Sequence, residues 1–315
     1  MDLSIIIVNW NSKEYLKKCL TSILTTTSGI NCEIIVIDNA SYDGCEKMLK
    51  HCFKQVHFIQ SAKNLGFAKA NNYGFKVSKG KNILFLNPDT EVKEQAIQRL
   101  LFTLKSIDDA GIVGAKLLNS NGSIQTSCVQ AFPTILNQVL DAELIRNLSP
   151  KSRLWGIAPL FSETDAPSKV DVVSGACLMI RRKVFEKVGM FSTEYFMYSE
   201  DVDLCHKVNK AGWKTYYVPD AVVVHYGGGS SSQVNVNTFS SVMILESRWR
   251  FFKKTRPLWY CWLYRVGIFL SSLLRIGLTF VIFPLIDSNG DAIALQFTLK
   301  KWFSKLSWAL GREAW

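Results

Sequence analysis

The sequence predicts an α/β fold built on a mostly parallel sheet flanked by helices, and three observations carry that expectation. Short apolar runs rich in Ile and Val alternate with stretches long enough for helices through the first hundred residues. Strands separated by helices form right-handed crossover units, whose parallel sheets are covered on both faces. Three of the first four runs end in clustered polar residues: Asn9-Trp10-Asn11, Asp38-Asn39 and Asn87-Pro88-Asp89-Thr90. Ligands bind such sheets beyond the carboxyl ends of the strands, so this edge reads as a nucleotide site. The end of the chain departs in composition, being basic and rich in Trp.

In order, strands are expected at Leu3–Asn9, Cys32–Asp38, Val56–Gln60 and Asn82–Leu86, with helices at Lys13–Thr26, Asp43–Cys52 and Phe67–Ser78 between them. From about residue 110 the pattern loosens. Ile112–Leu118 and Val170–Ile180 read as strands separated by a long, less regular stretch. A helix at Glu200–Ala211 and short strands at Lys214–Val218 and Ala221–His225 follow. Gly227-Gly228-Gly229-Ser230-Ser231-Ser232 reads as the most flexible segment, and a helix is expected over 237–256. Residues 1–236 thus form one α/β domain, with a nucleotide half to about 110 and a second half over 111–236. Residues 237–315 form a separate helical region.

Composition supports two domains for 315 residues. Hydrophobic residues make up 48%, which excludes a disordered or fibrous chain. Eight cysteines scattered singly, with no C-x-x-C, read as reduced thiols rather than a disulfide framework. Met1-Asp2-Leu3-Ser4 lacks the basic start of a secretory leader, and Ile5-Ile6-Ile7-Val8 is too short for its apolar core. A cytoplasmic location is therefore expected. The net charge is +11, and residues 246–315 carry +7 of it. A basic, Trp-rich tail suits an anionic surface, either nucleic acid or the inner face of a membrane.

Several residues could carry chemistry, and each has a plainer reading beside it. Asp38 can accept from a base N–H or a ribose hydroxyl, or merely close a turn. Asn64-Leu65-Gly66-Phe67-Ala68 can let a ligand approach the glycine, or simply start a helix. The run Ile83-Leu84-Phe85-Leu86 reads as a central strand that delivers Asp89 to the ligand edge. There one carboxylate can hold Mg2+ or Mn2+, which take their remaining ligands from diphosphate and water. His225 closes another apolar strand, as a ligand suited to Mn2+ or as a structural histidine. Glu200-Asp201 can supply a general base or complement a helix dipole. Ser174-Gly175 can give a close approach beside a substrate or kink a strand.

Taken together, these stretches resemble the family-2 glycosyltransferases of GT-A fold, and particularly their rhamnosyltransferase-like branch. The matching segments are Ser4-Ile5-Ile6-Ile7-Val8-Asn9-Trp10-Asn11, Val36-Ile37-Asp38-Asn39-Ala40-Ser41-Tyr42-Asp43-Gly44, Asn64-Leu65-Gly66-Phe67-Ala68 and Asn71-Asn72-Tyr73-Gly74. Leu86-Asn87-Pro88-Asp89-Thr90, Ser174-Gly175-Ala176, Glu200-Asp201-Val202-Asp203-Leu204 and His225 continue the series. The resemblance implies that Val8, Asn9, Asn11, Asp38, Asn64, Gly66 and Asn71 line the nucleotide. It implies that Asp89 and His225 hold a divalent cation, Mg2+ or Mn2+. It makes Asp201 the base and Glu200 its neighbour near the acceptor, with Asn87, Ser174 and Gly175 at the sugars. Asn87 stands where the wider family has the first acid of Asp-x-Asp, as is common in this branch.

The function so implied is inverting transfer of a sugar from a nucleoside-diphosphate donor to a hydroxyl of a glycan or lipid-linked acceptor, in cell-surface polysaccharide synthesis. Rhamnose is favoured by the branch; uridine-linked galactose, glucose and N-acetylglucosamine stay open, as does a homodimer. A sugar-1-phosphate nucleotidyltransferase is the nearest alternative. It needs a Gly-rich loop with an activating Arg or Lys where this chain has Asn9-Trp10-Asn11-Ser12. A non-catalytic membrane-surface protein with a decayed nucleotide site is the other.

The tail is expected to lie on an anionic membrane surface without crossing it; nucleic acid is not the expected partner. Between Leu258 and Phe283, Arg265, Ser271, Ser272, Arg275 and Thr279 fall within roughly 120° of a helix circumference, which would set both arginines at the headgroups. Leu295, Leu299, Trp302, Phe303, Leu306 and Leu310 share a sector of about 100°, with Lys300, Lys301, Lys305 and Arg312 outside it.

Overall fold

The computed structural model describes residues 1–140, 148–152, 154–155, 158–161, 165–227, 234–286 and 292–312. The chain folds as two compact units, one of residues 1–132, 150–196 and 200–230, the other of 133–149, 197–199 and 231–315.

The first unit opens with β1 (Leu3–Asn9), α1 (Lys13–Thr26), β2 (Cys32–Asp38), α2 (Cys45–Cys52), β3 (His57–Gln60), α3 (Gly66–Val77), β4 (Asn82–Leu86), β5 (Thr90–Val92) and α4 (Ala96–Ser106). It continues with β6 (Ala110–Leu118), β7 (Val129–Gln130), β8 (Ser168–Val170), β9 (Val172–Val173), β10 (Cys177–Arg181), α6 (Arg182–Lys187), α7 (Glu200–Lys210) and β11 (Lys214–His225). α5 (Ile135–Val139) belongs to the second unit, with α8 (Val234–Thr255), α9 (Leu258–Ile286) and α10 (Ala292–Ala309). Beyond Gly227, the glycine-serine stretch lies outside the described residues.

Nine of the described strands make one sheet in the order β3-β2-β1-β4-β10-β6-β11-β5, with β8 alongside β11. β1, β2, β3 and β4 pair in parallel, as their helical connections require. Every residue of β4 is buried, and β1 is buried from Leu3 to Ile7. α1 covers the sheet with Leu16, Cys19, Leu20 and Ile23, the spacing of one helical face.

Three features differ from the sequence reading. β10 runs antiparallel to both β4 and β6, so the sheet is mixed. The run expected as one strand over Val170–Ile180 divides into β8, β9 and β10. After β8 the chain leaves this sheet: β9 pairs antiparallel with β7 in a separate two-stranded sheet, Ser174 donates its backbone N–H to Cys128 O (3.0 Å), and the chain re-enters the main sheet at Cys177. Lys214–Val218 and Ala221–His225 are one strand, interrupted by a register shift between Val218 and Val222. Of the eight thiols, Cys52 alone is exposed, and Cys32 is half-buried.

Within the second unit α5 lies against α9. Ile135 N–H donates to Tyr260 Oη (3.0 Å), and a Cβ on Gly267 would stand 2.8 Å from Val139 Cγ2. The polar stripe of α9 turns inward, which corrects the expectation that its arginines face headgroups. The Arg265 guanidinium lies over the rings of Trp249, Trp308 and Trp262 at 4.8, 5.0 and 5.8 Å. Arg275 and Ser271 donate to Val139 O at 3.2 and 3.3 Å, and Arg275 also stacks on Trp302 at 4.6 Å. Indole faces attract both guanidinium groups and the Val139 carbonyl accepts from Arg275, so the stripe packs on its own unit. Trp308, fully buried, centres the inner face of α10, whereas Phe303 and Leu310 are half exposed. The segment Leu258–Val281 has a mean hydropathy of 1.4 over its best window and is long and apolar enough to cross a membrane.

Candidate active site

The carboxyl edge of the sheet gathers the polar residues that the sequence singled out. β1 and β2 end in register, Asn9 opposite Asp38. Asn9 Nδ2 donates to Asp38 Oδ1 (2.8 Å), Ser41 Oγ (3.2 Å) and Asp43 Oδ2 (3.2 Å). Asp38 also accepts from Gln60 Nε2 (2.8 Å), Ser41 Oγ and the backbone N–H groups of Ser41 and Tyr42. Left-handed backbone at Ala40 and Tyr42 winds the turn around the carboxylate. Burial alone would raise its pKa, but the bonds from Ser41, Gln60, Asn9 and Tyr42 outweigh burial and hold Asp38 below the usual carboxylate value. Asp38 is thus a fixed anion.

Asp43 accepts from Lys13 N (2.9 Å) and Cys45 N (3.0 Å), so one carboxylate serves the starts of α1 and α2. Asp38, Asp43 and Cys45 form the one group of three metal-ligand types among the described residues. Burial, then the negative charges of Asp38 and Asp43, push the Cys45 thiol far up and keep it protonated.

Beside this pocket Asn39 and Asn64 bond each other, Asn39 Nδ2 to Asn64 Oδ1 (2.8 Å), while Asn39 Oδ1 accepts from Leu65 N (2.8 Å). Gly66 meets its own chain. Its φ is +74°, and a Cβ there would lie 2.5 Å from Phe196 O and 2.9 Å from the Phe196 ring. The side on which a Cβ would stand is closed by the chain's own Phe196, which also accepts from Phe67 N (3.0 Å). Val8 is half-buried near the end of β1, and Asn11 lies just beyond it in left-handed backbone. Asn71 is buried on α3 and donates to Phe67 O (3.0 Å). Its neighbour Asn72 bonds Phe191 N and O, tying α3 to the segment before α7.

Further along the edge, β5 pairs antiparallel with the end of β11, setting His225 opposite Thr90. His225 Nε2 lies 3.3 Å from both Asp89 Oδ1 and Asn87 Nδ2. Tyr226 N donates to Asp89 O (2.9 Å), closing the corner. A hard carboxylate oxygen beside an imidazole nitrogen suits Mg2+ or Mn2+. Two neighbouring ligands of an octahedral ion with bonds of about 2.1 Å stand about 3 Å apart, so the pair fits with little movement.

Asn87 N donates to Ala176 O (2.9 Å), which joins this corner to the break before β10. There Gly175 N donates to Asp201 Oδ2 (2.9 Å), and a Cβ on Gly175 would touch the Asp201 side chain at 3.4 Å. Ser174 Oγ accepts from Ala176 N (3.2 Å). Glu200 is buried at the start of α7. Asp203 is buried, with Ser192 Oγ at 2.5 Å and Lys207 at 3.4 Å, and braces the segment leading to Glu200. The structure therefore brings together Asn9 with Asp38, Asn87 with Asp89 and His225, and Gly175 with Asp201. Gln60, Ser41, Asp43 and Gln125 complete these groups without having been assigned a role from the sequence, although Ser41 and Asp43 lie in one of its matching segments. The first three lie within six residues of Asp38 or across one strand pairing. Gln125 sits in an irregular stretch that no periodicity marks.

The chain is 30% identical over 214 residues to the low-salt glycan biosynthesis hexosyltransferase Agl10 of Haloferax volcanii, covering 66% of this chain but only 62% of that protein. It is 29% identical over 245 residues to the N-acetylglucosaminyl-diphospho-decaprenol L-rhamnosyltransferase of Mycobacterium tuberculosis, covering 73% of this chain and 78% of that one. The fold is shared with mannosyltransferase PcManGT from Pyrobaculum calidifontis, solved in complex with GDP-Man and Mn2+, at 14% identity and a TM-score of 0.61 over 99% of this chain and 88% of that chain. The profile of glycosyl transferase family group 2 matches residues 134–309. That of glycosyl transferase family 2 matches residues 4–189, more than half of the chain and the run from within β1 through α6, and the chain belongs to that family.

Proposed function

We propose that the chain is an inverting, metal-assisted glycosyltransferase that moves rhamnose from a thymidine-linked donor to a hydroxyl of a lipid-linked glycan. The observation that carries this reading is the seating of Asp201 against Gly175, on the same edge as the Asp38 pocket and the Asp89–His225 pair. Asp38, fixed as an anion, accepts from the nucleoside in place of one of its present side-chain donors, Ser41 or Gln60. Asp201 takes the proton from the acceptor hydroxyl, whose oxygen attacks the anomeric carbon from the face opposite the diphosphate. The Gly175 N–H holds one Asp201 oxygen in place, and each carboxylate oxygen keeps a second lone pair for the incoming proton. Asp89 and His225 would hold Mg2+ or Mn2+, which when bound neutralises charge on the departing diphosphate.

The sugar and acceptor come from the name of the mycobacterial relative. A transfer assay with nucleotide sugars and an isoprenyl-diphosphate N-acetylglucosamine acceptor tests both. Thymidine-linked rhamnose should add one deoxyhexose to the acceptor. Transfer from a uridine-linked sugar alone would overturn the donor, and no transfer from any donor would overturn the reaction.

The second unit is proposed to rest on the cytoplasmic leaflet without crossing it. Two observations support this. The outward face of α9 is apolar, with Leu258, Leu263, Leu270, Leu274 and Val281 each at least half exposed. Exposed Lys253, Lys254, Arg256 and Lys300 accompany it, the pairing of apolar and basic groups that anionic lipid selects. Full-length protein should pellet with anionic vesicles and be released by alkaline carbonate; resistance to carbonate would mean a spanning helix.

A further inference from the structure

The His225 ring has different neighbours at its two nitrogens. Nδ1 lies 3.0 Å from Gln125 Oε1, and Nε2 faces Asp89 and Asn87. A neutral imidazole carries one proton, and the bond made by one nitrogen fixes the state of the other. An amide oxygen and nitrogen look alike, so the Gln125 side chain alone decides nothing. The backbone decides it. The other end of the Gln125 amide lies 2.7 Å from the His225 carbonyl oxygen, which only accepts. That end must therefore be the nitrogen. The amide oxygen then faces Nδ1, and Nδ1 must be the protonated atom. Nε2 keeps its lone pair, 3.3 Å from an Asp89 oxygen that also bears lone pairs.

Gln125 is held there by the sheet. β6 and β11 run in parallel with Leu118 beside Val224. The chain turns through 119–123, closed by Asn119 N to Ser123 O (2.7 Å), and returns with Ile124 opposite Leu118. Gln125 N then donates to Leu117 O (2.9 Å), which sets the side chain next to His225.

We propose that Gln125 is a positioning residue that locks His225 in the Nδ1–H tautomer and so presents the Nε2 lone pair, beside Asp89, to a divalent cation. This rests on the metal-assisted reading above. Partners behind a metal ligand fix its tautomer and orientation, and their loss typically weakens metal binding about 10–100-fold.

The chain has four histidines, so ring nitrogen spectra of the 15N-histidine-labelled full-length protein are simple, and the His225 signals are those lost in His225→Gln. At a pH where imidazole is neutral and with no metal added, the wild-type ring should show the Nδ1–H pattern. Gln125→Leu should shift it towards the Nε2–H form. Gln125→Glu, whose carboxylate still accepts from Nδ1 although its other oxygen must turn away from the His225 carbonyl, should retain it, and the denaturant midpoint of each variant controls for folding. Binding of Mn2+ with thymidine diphosphate, followed by the spin resonance of free Mn2+, should weaken about 10–100-fold in Gln125→Leu and far less in Gln125→Glu. An Nε2–H ring in the wild type, or the same ring pattern and Mn2+ affinity in Gln125→Leu, would overturn the proposal. If the wild type binds no Mn2+, the metal reading fails and with it the purpose of the lock, while the ring spectra still report whether the lock exists.

Discussion

Replacing Asp201 by Asn separates the chemistry of the carboxylate from its structural work. Asp201 Oδ2 accepts from Gly175 N at 2.9 Å, and Oδ1 accepts from Val202 N at 2.8 Å. An amide fills the same space but has one oxygen, so either orientation sets an NH2 group against one of those N–H donors. A hydrogen bond to a charged group contributes about 1.5–3 kcal/mol, and one such bond is lost. For a unit of about two hundred residues each kcal/mol moves the melting temperature about 2–4 °C, so the first unit should melt roughly 3–12 °C lower. Transfer should fall by more than this implies, about 10²–10⁴-fold, because the amide cannot take the acceptor proton. Donor affinity, read as stabilisation by the nucleotide sugar, should persist. The assay is product formation under saturating donor, at a temperature where both proteins are folded. A wild-type transfer rate would refute Asp201 as base and direct attention to Glu200. An unchanged melting temperature would refute the hydrogen-bond argument.

Asp89→Ala and His225→Ala should each raise the Mn2+ concentration needed for half-maximal transfer, and full turnover in excess chelator would remove the metal from the mechanism. Asp38 has a native pKa below its unfolded value, so its contribution to stability is present above about pH 4 and is lost as pH falls through the lower native value. The stability difference between wild type and Asp38→Asn should therefore shrink on acidification below pH 4 in denaturant titrations; a constant difference would contradict the assignment. Gly66→Ala should destabilise the first unit by about 2–5 kcal/mol, from left-handed strain plus displacement of Phe196, measured by chemical denaturation. The pair Leu270→Glu and Leu274→Glu, on one exposed face of α9, should abolish sedimentation with anionic vesicles, and undiminished pelleting would refute that face as the contact.

The parallel core was legible because its signal is local. β1 and β2 are continuous apolar runs ending in Asn9 and Asp38, and the helices between them leave only a parallel pairing. The direction of β10 was not legible, since whether a strand enters a sheet parallel or antiparallel depends on the distant strands β4 and β6. The same limit hid Gln125, whose partner lies a hundred residues away in sequence. It also reversed the sense of the α9 stripe. Helical spacing groups Arg265 with Arg275, but of the three indoles around Arg265 only Trp262 shares its helix, and Trp249 and Trp308 come from α8 and α10. Periodicity identifies a face and says nothing about what meets it.

The contact between Gly66 and Phe196 restricts how this protein can evolve. The nearest atom to a hypothetical Cβ is the Phe196 carbonyl oxygen, with the ring second. A smaller residue at 196 clears the ring and leaves the oxygen in place, so no compensating exchange at 196 releases position 66. Any lineage that replaces the glycine must first reroute the chain before α7, the segment that Asp203 and Asn72 brace. In a saturation library position 66 should accept almost nothing, whatever residue stands at 196, whereas 196 should tolerate many exchanges while the glycine remains.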